Sequence, residues 1–587
     1  MIRTSVTIGG SRLSDHDFTS ISLDQRMGGH HTFEIRLRQD AKKDILLEKT
    51  KTWVGQTVNL GFDYHKDIEL DAIPVKDLFN GIVTSIELSR KLGSSELVVK
   101  GHSPTILMDD GPNTRSFSDA GLQEIVDKVM KPYVNSFPQK PSIAPQHHSK
   151  SIDYTVQYQE NAFTFVKRLA NRYGEWFFYD GLRMFFGKPP KEKPVKLDFG
   201  EDGLRYFDIA LEVAPMELEL KSYDYRGDEI ISADAKEFTP TNEFGKEIRN
   251  KSKEIYPERG AGNIYSDTEK SELKQIAKRR ATAATEAMVV LSGVSGSSSL
   301  VPGRIIDVQD KSLGESYGKY RVTSVSHSIG QGGDYSNNFQ AIPEEIDVPP
   351  LTGISDAPFC ETQLGVVSDV NDPDSLGRVQ VALKWQDGES TPWIRVASPY
   401  TGADKGLYMI PEVNDQVLVA FEDSNPAKPY VLAGMYHGKA SSDMFSPNND
   451  LKGFKSREKN TWLFNDAEKS ILISAPQRLD LHAGNQINLQ TDGAGSSSIN
   501  LDVGDGTVTI KAKTITIEAS DEISLDSKKS IVVNSDDKLE MKAGTDLKQE
   551  AMNITSKANA KMENSGATLD LKGSATVILK GGLVKIN

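Results

Sequence analysis

The sequence predicts a mainly β protein with some α, built as a mixed head, a small β-barrel of the OB type and a C-terminal β-helix. Three observations carry this prediction. Strand-like alternation recurs through the first 340 residues, with three helical stretches among it. A proline-rich break at 341–358 (AIPEEIDVPPLTGISDAP) sets off a compact strand-rich stretch. From Gln477 to Asn587 the chain contains no Pro, Phe, Tyr or Trp, and its aliphatic residues recur with a usual step of eight.

Size and composition agree with several separate cores. The chain has 587 residues, which at roughly 150 residues per domain corresponds to about four domains. Hydrophobic residues make up 37 % and charged residues 26 %, and the mean hydropathy is -0.43. That balance excludes wholesale disorder. The net charge of -14, without a basic block, argues against wrapping nucleic acid or an anionic membrane. Cys360 is the only cysteine, so intrachain disulfides and cysteine-rich zinc sites are excluded. The start, MIRTSVTIGG, shows no apolar h-region of a Sec signal. The longest apolar runs, such as Met288-Val289-Val290-Leu291, are far too short to span a bilayer.

In the head (1–345), strands are predicted at Phe33–Leu37, Thr57–Phe62, Gly81–Leu88 and Leu97–Lys100, and helices at Ala120–Met130, Asn161–Tyr173 and Glu269–Val290. A short internal similarity suggests two related domains. Val83-Thr84-Ser85-Ile86, followed by a strand ending at Val99-Lys100-Gly101, parallels Val322-Thr323-Ser324-Val325 followed by Asn338-Phe339-Gln340-Ala341. Residues 346–358 read as a linker. The next stretch, 359–440, holds predicted strands Gln363–Val370, Gly377–Leu383, Trp393–Val396, Asp415–Phe421 and Pro429–Ala433, the pattern of a small OB-type barrel. Residues 441–460 read as a second linker.

The tail (461–587) carries apolar pairs at i, i+2: Ile471/Ile473, Leu479/Leu481, Ile487/Leu489, Ile515/Ile517, Ile523/Leu525, Ile531/Val533, Leu539/Met541, Leu569/Leu571 and Val577/Leu579. Two side chains at i, i+2 lie on one face of a strand. The residues between are Asp, Asn, Ser, Lys, Gly and Thr, which favour turns. One short strand and one corner per octad describes a β-helix with a narrow aliphatic interior. Its core is expected to include Ile515, Ile517, Ile523, Leu525, Ile531 and Val533. A coiled coil would need heptads and helix formers instead.

The motifs of catalysis do not assemble. HExxH, CxxC and GxSxG are absent. Gly293-Val294-Ser295-Gly296-Ser297 places its second glycine too early for a nucleophile elbow and reads as a flexible loop. Gly181 to Lys188 has the wrong spacing for a P-loop, with Pro189 where a hydroxyl belongs, and reads as a strand. In Asp369-Val370-Asn371-Asp372-Pro373-Asp374, Pro373 and Asp374 stand where an EF-hand needs a ligand and a glycine, so an Asx/Pro turn is expected. His30-His31 and His147-His148 read as solvated surface. The tail's carboxylates alternate with lysines and lack the aromatic platforms of a sugar-cleaving groove. No catalytic residue, cofactor or metal site is therefore assigned.

Several longer segments do resemble a known family. Tyr158-Gln159-Glu160-Asn161-Ala162-Phe163 through Gly174-Glu175-Trp176-Phe177-Phe178 resembles the signature helix and strand of VgrG spike proteins. Asn371-Asp372-Pro373-Asp374-Ser375-Leu376-Gly377-Arg378-Val379-Gln380-Val381 resembles the first loop and strand of that family's OB domain. Pro411-Glu412-Val413-Asn414-Asp415-Gln416-Val417 is similar to its P-x-x-G-D-x-V strand, with Asn414 for the usual glycine; Asn also tolerates the left-handed conformation. Lys580-Gly581-Gly582-Leu583-Val584-Lys585-Ile586-Asn587 is similar to the family's tip.

The resemblance implies a phage-hub-like β-barrel head, an OB-fold neck and a C-terminal intertwined trimeric β-helix needle. It implies a structural, non-enzymatic homotrimer at the centre of a contractile injection system, of type VI secretion or an extracellular particle. The implied partners are a hexameric inner-tube protein at the head, baseplate proteins, effectors and a PAAR-type cap. Membrane contact is implied only during puncture. The protein would be made in the bacterial cytoplasm and exported by contraction. At about 24 residues per three-sided turn, the needle would rise roughly 70 Å. The last strands, with Val577, Leu579, Leu583, Val584 and Ile586, are the expected cap-binding surface. No lysozyme insertion is expected near 441–460 and no toxin extension past Asn587, and the tip lacks the His-x-His of iron-binding spikes, since the last histidine is His482. A phage tail spike is the near alternative. A carbohydrate-binding or -cleaving β-helix adhesin is the alternative of another class.

Overall fold

The computed structural model describes residues 2–586 except 15–16, 39–42, 65–74, 93, 201–202, 216–217, 235–242, 259, 264–269, 287, 331–332, 351–357, 490–498, 502 and 504–505. Strand occupies 38 % of the chain and helix 14 %, so the protein is mainly β. It forms two units, Met1–Ser474 and Ala475–Asn587.

The first unit is organised by one 13-stranded sheet. Its first half contains β1 (Phe18–Arg26), β2 (Thr32–Arg38), β3 (Thr57–Tyr64), β4 (Asp77–Lys91) and β5 (Ser94–His102). Its second half contains β6 (Leu204–Leu211), β7 (Val289–Ser295), β8 (Ile305–Asp310), β9 (Glu315–Ile329) and β10 (Tyr335–Pro343). The clearest strands form where apolar residues recur at every second position. In β2, Phe33, Ile35 and Leu37 point into the core while their neighbours face outward.

The two halves have the same connectivity. In the first, β1 pairs with β2, β2 with β5, β5 with β4 and β4 with β3. In the second, β6 pairs with β7, β7 with β10, β10 with β9 and β9 with β8. The rows match as well: Val83–Gly101–Phe33–Leu23 runs across one half as Val322–Ala341–Leu291–Ile209 runs across the other. On that alignment all three bulges coincide, at Thr84 and Thr323, at Thr19 and Arg205, and at Leu78 and Tyr317. A bulge adds one unpaired residue and bends the strand, so shared bulges mark shared geometry. The short similarity in the sequence is therefore the visible trace of a duplicated five-strand unit. The halves fuse into one sheet where β9 pairs with β1.

Two helices bury side chains in the first core, α1 (Leu122–Met130) and α2 (Ala162–Tyr173), and a further helix, Lys43–Trp53, packs Leu46 and Trp53 against it. The local sequence specifies α2 closely. Asn161 caps its start by accepting from the Thr164 amide at 2.7 Å, and Gly174 ends it at φ 72°. Arg168 then ties the helix to the preceding strand through a buried two-pronged bond to Glu160, at 2.9 and 2.7 Å.

Several expectations are corrected. The helix expected at Glu269–Val290 ends at Glu286 (α3, Lys270–Glu286), and β7 begins at Val289. Val289, Leu291 and Gly293 alternate with outward residues, and the pairing with β6 and β10 overrides helical continuation. Gly293 to Ser295 thus belong to a strand, not a flexible loop. A Cβ at Gly293 would lie 2.6 Å from the Tyr206 carbonyl oxygen, so the glycine serves a close backbone approach. The 346–358 linker is anchored at its start. Ile346 and Val348 are buried, and the Asp347 carbonyl accepts from Trp176 Nε1 at 2.9 Å. Its remainder at 351–357 lies outside the described residues.

The OB region forms a four-stranded sheet of β11 (Gln363–Asp369), β12 (Gln380–Leu383), β13 (Gln416–Phe421) and β14 (Pro429–Gly434). The expected strand Trp393–Val396 is reduced to two bridges, Val379 to Ile394 and Val396 to Val431. The strand expected at Gly377–Leu383 starts only at Gln380, after Gly377 turns at φ 71°. Asn414 adopts φ 75°, the left-handed turn its position demands. The 441–460 segment contains a strand, β15 (Leu451–Lys455), which forms a meander with β16 (Thr461–Asn465) and β17 (Ser470–Ser474). Ile471 and Ile473, read as the first octad pair, belong to this meander.

Candidate functional site

The second unit presents the candidate site as a repeating surface. Among its described residues no strand pairs within the chain; the last such strand is β17. The predicted core residues Ile515, Ile517, Ile523, Leu525, Ile531 and Val533 are between 52 and 73 % exposed in the single chain. The predicted cap-binding residues Val577, Leu579, Leu583, Val584 and Ile586 are 50 to 85 % exposed. The single chain therefore brings none of them together in a core.

The tail is nevertheless two-faced. Lys538 and Lys542 both pair with Glu540, the second at 2.6 Å, and these three residues alternate with Leu539 and Met541. Lys572 pairs with Asp570 at 2.5 Å, alternating with Leu569 and Leu571. Arg478 pairs with Asp480 at 2.8 Å, alternating with Leu479 and Leu481. Period-two alternation places charge on one face and aliphatic groups on the other. Such exposed ion pairs add little stability; their value is to keep one face wet.

In the OB domain, the acidic loop is a turn built around one ion pair. Asp369 Oδ1 accepts from the Asn371 amide at 2.9 Å. Asp372 receives the Arg378 guanidinium at 2.5 to 3.1 Å and the amides of Asp374, Leu376 and Arg378. The guanidinium holds the Asp372 carboxyl well below its usual range, and the backbone donors add to this. Arg378 is 2 % exposed, and it also donates to Tyr225 Oη of the head at 3.1 Å.

The histidines depart from the surface reading. His31 is fully buried. Two-residue steps from His31 reach Phe33, Ile35 and Leu37, so the alternation already placed it inward. Gln25 joins it to the buried His327 across the β1–β9 joint: Gln25 Nε2 donates to His31 Nδ1 at 3.2 Å, and Gln25 Oε1 accepts from His327 Nε2 at 3.1 Å. Tyr335 Oη donates to His327 Nδ1 at 2.7 Å and accepts from Asn337 Nδ2 at 2.9 Å. Burial pushes both His31 and His327 down to about 3. His30 binds Thr105 and Asp109, at 2.7 and 2.9 Å. His148 packs against Tyr173 with tilted rings, centroids 4.4 Å apart, and burial takes it down to about 4. These contacts are structural. Among the described residues no group of three or more His, Cys, Asp or Glu could hold a metal ion, and no helix is long and apolar enough to cross a membrane.

Known proteins share these parts. Residues 363–436 match the type VI secretion system/phage-baseplate injector OB domain. The Pseudomonas aeruginosa type VI secretion system spike protein VgrG1a is 23 % identical over 386 residues, 58 % of this chain and 55 % of its own length. The Vibrio cholerae spike protein VgrG3 is 24 % identical over 379 residues, 58 % of this chain and 36 % of its own. The chain thus spans about half or less of the length of these relatives. An E. coli type VI secretion component with structural similarity to T4 bacteriophage tail proteins gp27 and gp5 superposes with a TM-score of 0.47 at 17 % identity, covering 73 % of this chain and 99 % of that one. Residues 25–333, more than half of the chain and eight of the ten strands of the duplicated sheet, match the phage tail baseplate hub, and the chain belongs to that family.

Proposed function

We propose that the protein is the homotrimeric central spike of a contractile injection system, of the VgrG kind, acting mechanically rather than as an enzyme. The observation that carries this reading is the two-faced tail, which exposes paired aliphatics along its length and, among the described residues, has no backbone ladder of its own. Burying a Leu, Ile or Val is worth about 1.5–3 kcal/mol each, and unpaired strand edges invite partners. Three interwound copies would turn the aliphatic faces to a common axis, leave the ion-paired faces in water and pair each backbone with its neighbours. The result is a rod without open edges along its length, suited to piercing an envelope. A trimer carrying two like units per chain offers six like surfaces, which supports docking of the head on a hexameric inner tube beside other baseplate proteins. The exposed Val577, Leu579, Leu583, Val584 and Ile586 would take a PAAR-type cap by strand addition. Export, with effectors, would follow contraction. Light scattering of the full-length protein tests the reading. A mass near three times 64.6 kDa is expected; a well-folded monomer would remove the basis for the needle.

A further inference from the structure

The duplicated sheet contains a template for the contact between neighbouring copies. Within the chain, the joint between the two halves is made by the second part of β9. It pairs with β1 as Ser324–Arg26, Val325–Gln25, Ser326–Asp24, His327–Leu23, Ser328–Ser22 and Ile329–Ile21. β9 can do this because it is long. Its first part takes β8 along one edge, its second part takes β1 along the same edge, and β10 occupies the other.

β4 is the counterpart of β9 and has the same length of 15 residues. Its first part takes β3, and β5 occupies the other edge. Along Val83–Lys91, the edge that corresponds to the joint pairs with no strand among the described residues. β6 is the counterpart of β1. It pairs with β7 on one side, and among the described residues its other side makes only a bridge at its start, from Leu204 to Phe199. Each chain therefore has one joint filled and the two halves of a second, equivalent joint open.

The matched rows fix the register of the open joint. Ser85–Arg90 correspond to Ser324–Ile329, and Phe207–Leu211 with the adjoining Glu212 correspond to Ile21–Arg26. We propose that β4 of one copy pairs antiparallel with β6 of the next, placing Ile86 opposite Leu211, Leu88 opposite Ile209 and Arg90 opposite Phe207. The inference rests on the trimeric reading above and names the surface that its heads use.

The side chains fit that register. In the filled joint, one face carries the buried row Val325, His327 and Ile329 against Gln25, Leu23 and Ile21. In the open joint the same face brings apolar on apolar twice, then a guanidinium over an aromatic ring. Ile86 and Leu88 are half-buried, and Leu211 is 44 % exposed, as expected of residues at an unfilled edge. The other face brings Ser85 to Glu212, Glu87 to Ala210 and Ser89 to Asp208, all exposed or half-exposed. The cations Arg90 and Lys91 come near Asp208. The contact is heterologous, so it closes only as a ring. A trimer closes it with three equal joints.

Paired cysteines test the register in the full-length chain. Directly opposed strand residues lie about 4.5–5.5 Å apart, within disulfide range. The native Cys360 is 2 % exposed and can stay. Glu87→Cys with Ala210→Cys should, on mild oxidation, run as covalent dimer and trimer on a denaturing gel and revert with reductant. Either single variant, and Glu87→Cys with Arg205→Cys, should remain monomeric on the same gel. If the opposed pair cross-links no better than the displaced pair while light scattering reads three chains, the joint is refuted and the trimer stands. A single-chain mass by light scattering removes the trimer and the joint together.

Discussion

Acidification should loosen the joint between the two head halves before it affects the OB domain. His31 and His327 are fully buried, and each is held neutral in a relay through Gln25, Tyr335 and Asn337. Burial takes both to about 3; at His31 the Arg26 backbone favours protonation while the charges of His30, His327 and Arg26 oppose it, and at His327 burial acts alone. In the unfolded chain both return to about 6.5. Above that pH neither state is protonated and the full stability is present. Between 6.5 and 3 the unfolded chain binds protons that the native state does not, so stability falls with pH; below about 3 the loss is complete. At pH 4.5, two units below the unfolded value, each histidine costs about 2.7 kcal/mol, or roughly 5 kcal/mol for the pair. That rivals the whole stability of a marginal domain, about 5–15 kcal/mol. The OB domain responds in the same direction but at lower pH. Its Asp372 carboxyl is depressed, so its contribution persists above the ordinary Asp range and is lost only as pH falls further. Amide hydrogen exchange at pH 7.5 and 4.5, corrected for intrinsic rates, would follow β1 and β9 against β11 and β13. Loss of protection confined to the head strands is expected. His327→Gln should remove one histidine's share of the pH dependence, about 2.7 kcal/mol at pH 4.5. Equal protection of β1 and β9 at both pH values, or an undiminished dependence in the variant, would refute the reasoning.

Three further outcomes are expected. Ile523→Asp would place three carboxylates near one axis, each costing several kcal/mol, and should abolish the trimer by light scattering, whereas Lys528→Asp should leave it intact; equal tolerance would mean the octad register is wrong. Asp372→Asn should destabilise the OB domain by about 3 kcal/mol in denaturant unfolding, because Arg378 stays buried with only the half-exposed Asp374 as a charged partner; Asp374→Asn should cost under about 1 kcal/mol. Deleting Gly581–Asn587 should spare the trimer but prevent co-purification of a PAAR-type cap, and retention of the cap would place its binding elsewhere.

Local chemistry was legible residue by residue. Strand positions such as Phe33–Leu37 and Thr57–Phe62 follow from alternation, and α2 follows from Asn161, its apolar face and Gly174. The turn at Asn414 follows from the few residues that accept positive φ. The octads of the tail are plain in the sequence too, since an i, i+2 pattern needs only near neighbours to declare itself; the strands they imply belong to the proposed trimer. The burial of His31 was legible too, in phase with Phe33, and was missed because histidine was read by type rather than by position.

What the sequence by itself determined is each segment's period, caps and turns, because these depend on contacts a few residues long. Only the tertiary structure decided which segments meet. The pairing of β9 with β1 joins residues about 300 positions apart, and no local pattern encodes that choice. The strand at Val289 replaced a helix end because β6 and β10 supplied its hydrogen bonds. The linker residue Ile346 was buried in a cluster with Trp176, Phe178 and Phe185, which come from far away in the chain. The duplication shows the division most clearly. Four residues of Val-Thr-Ser similarity survive in the sequence, while three bulges and four strand pairings survive in the fold, because a sheet constrains register and bend far more tightly than it constrains which side chain fills each place.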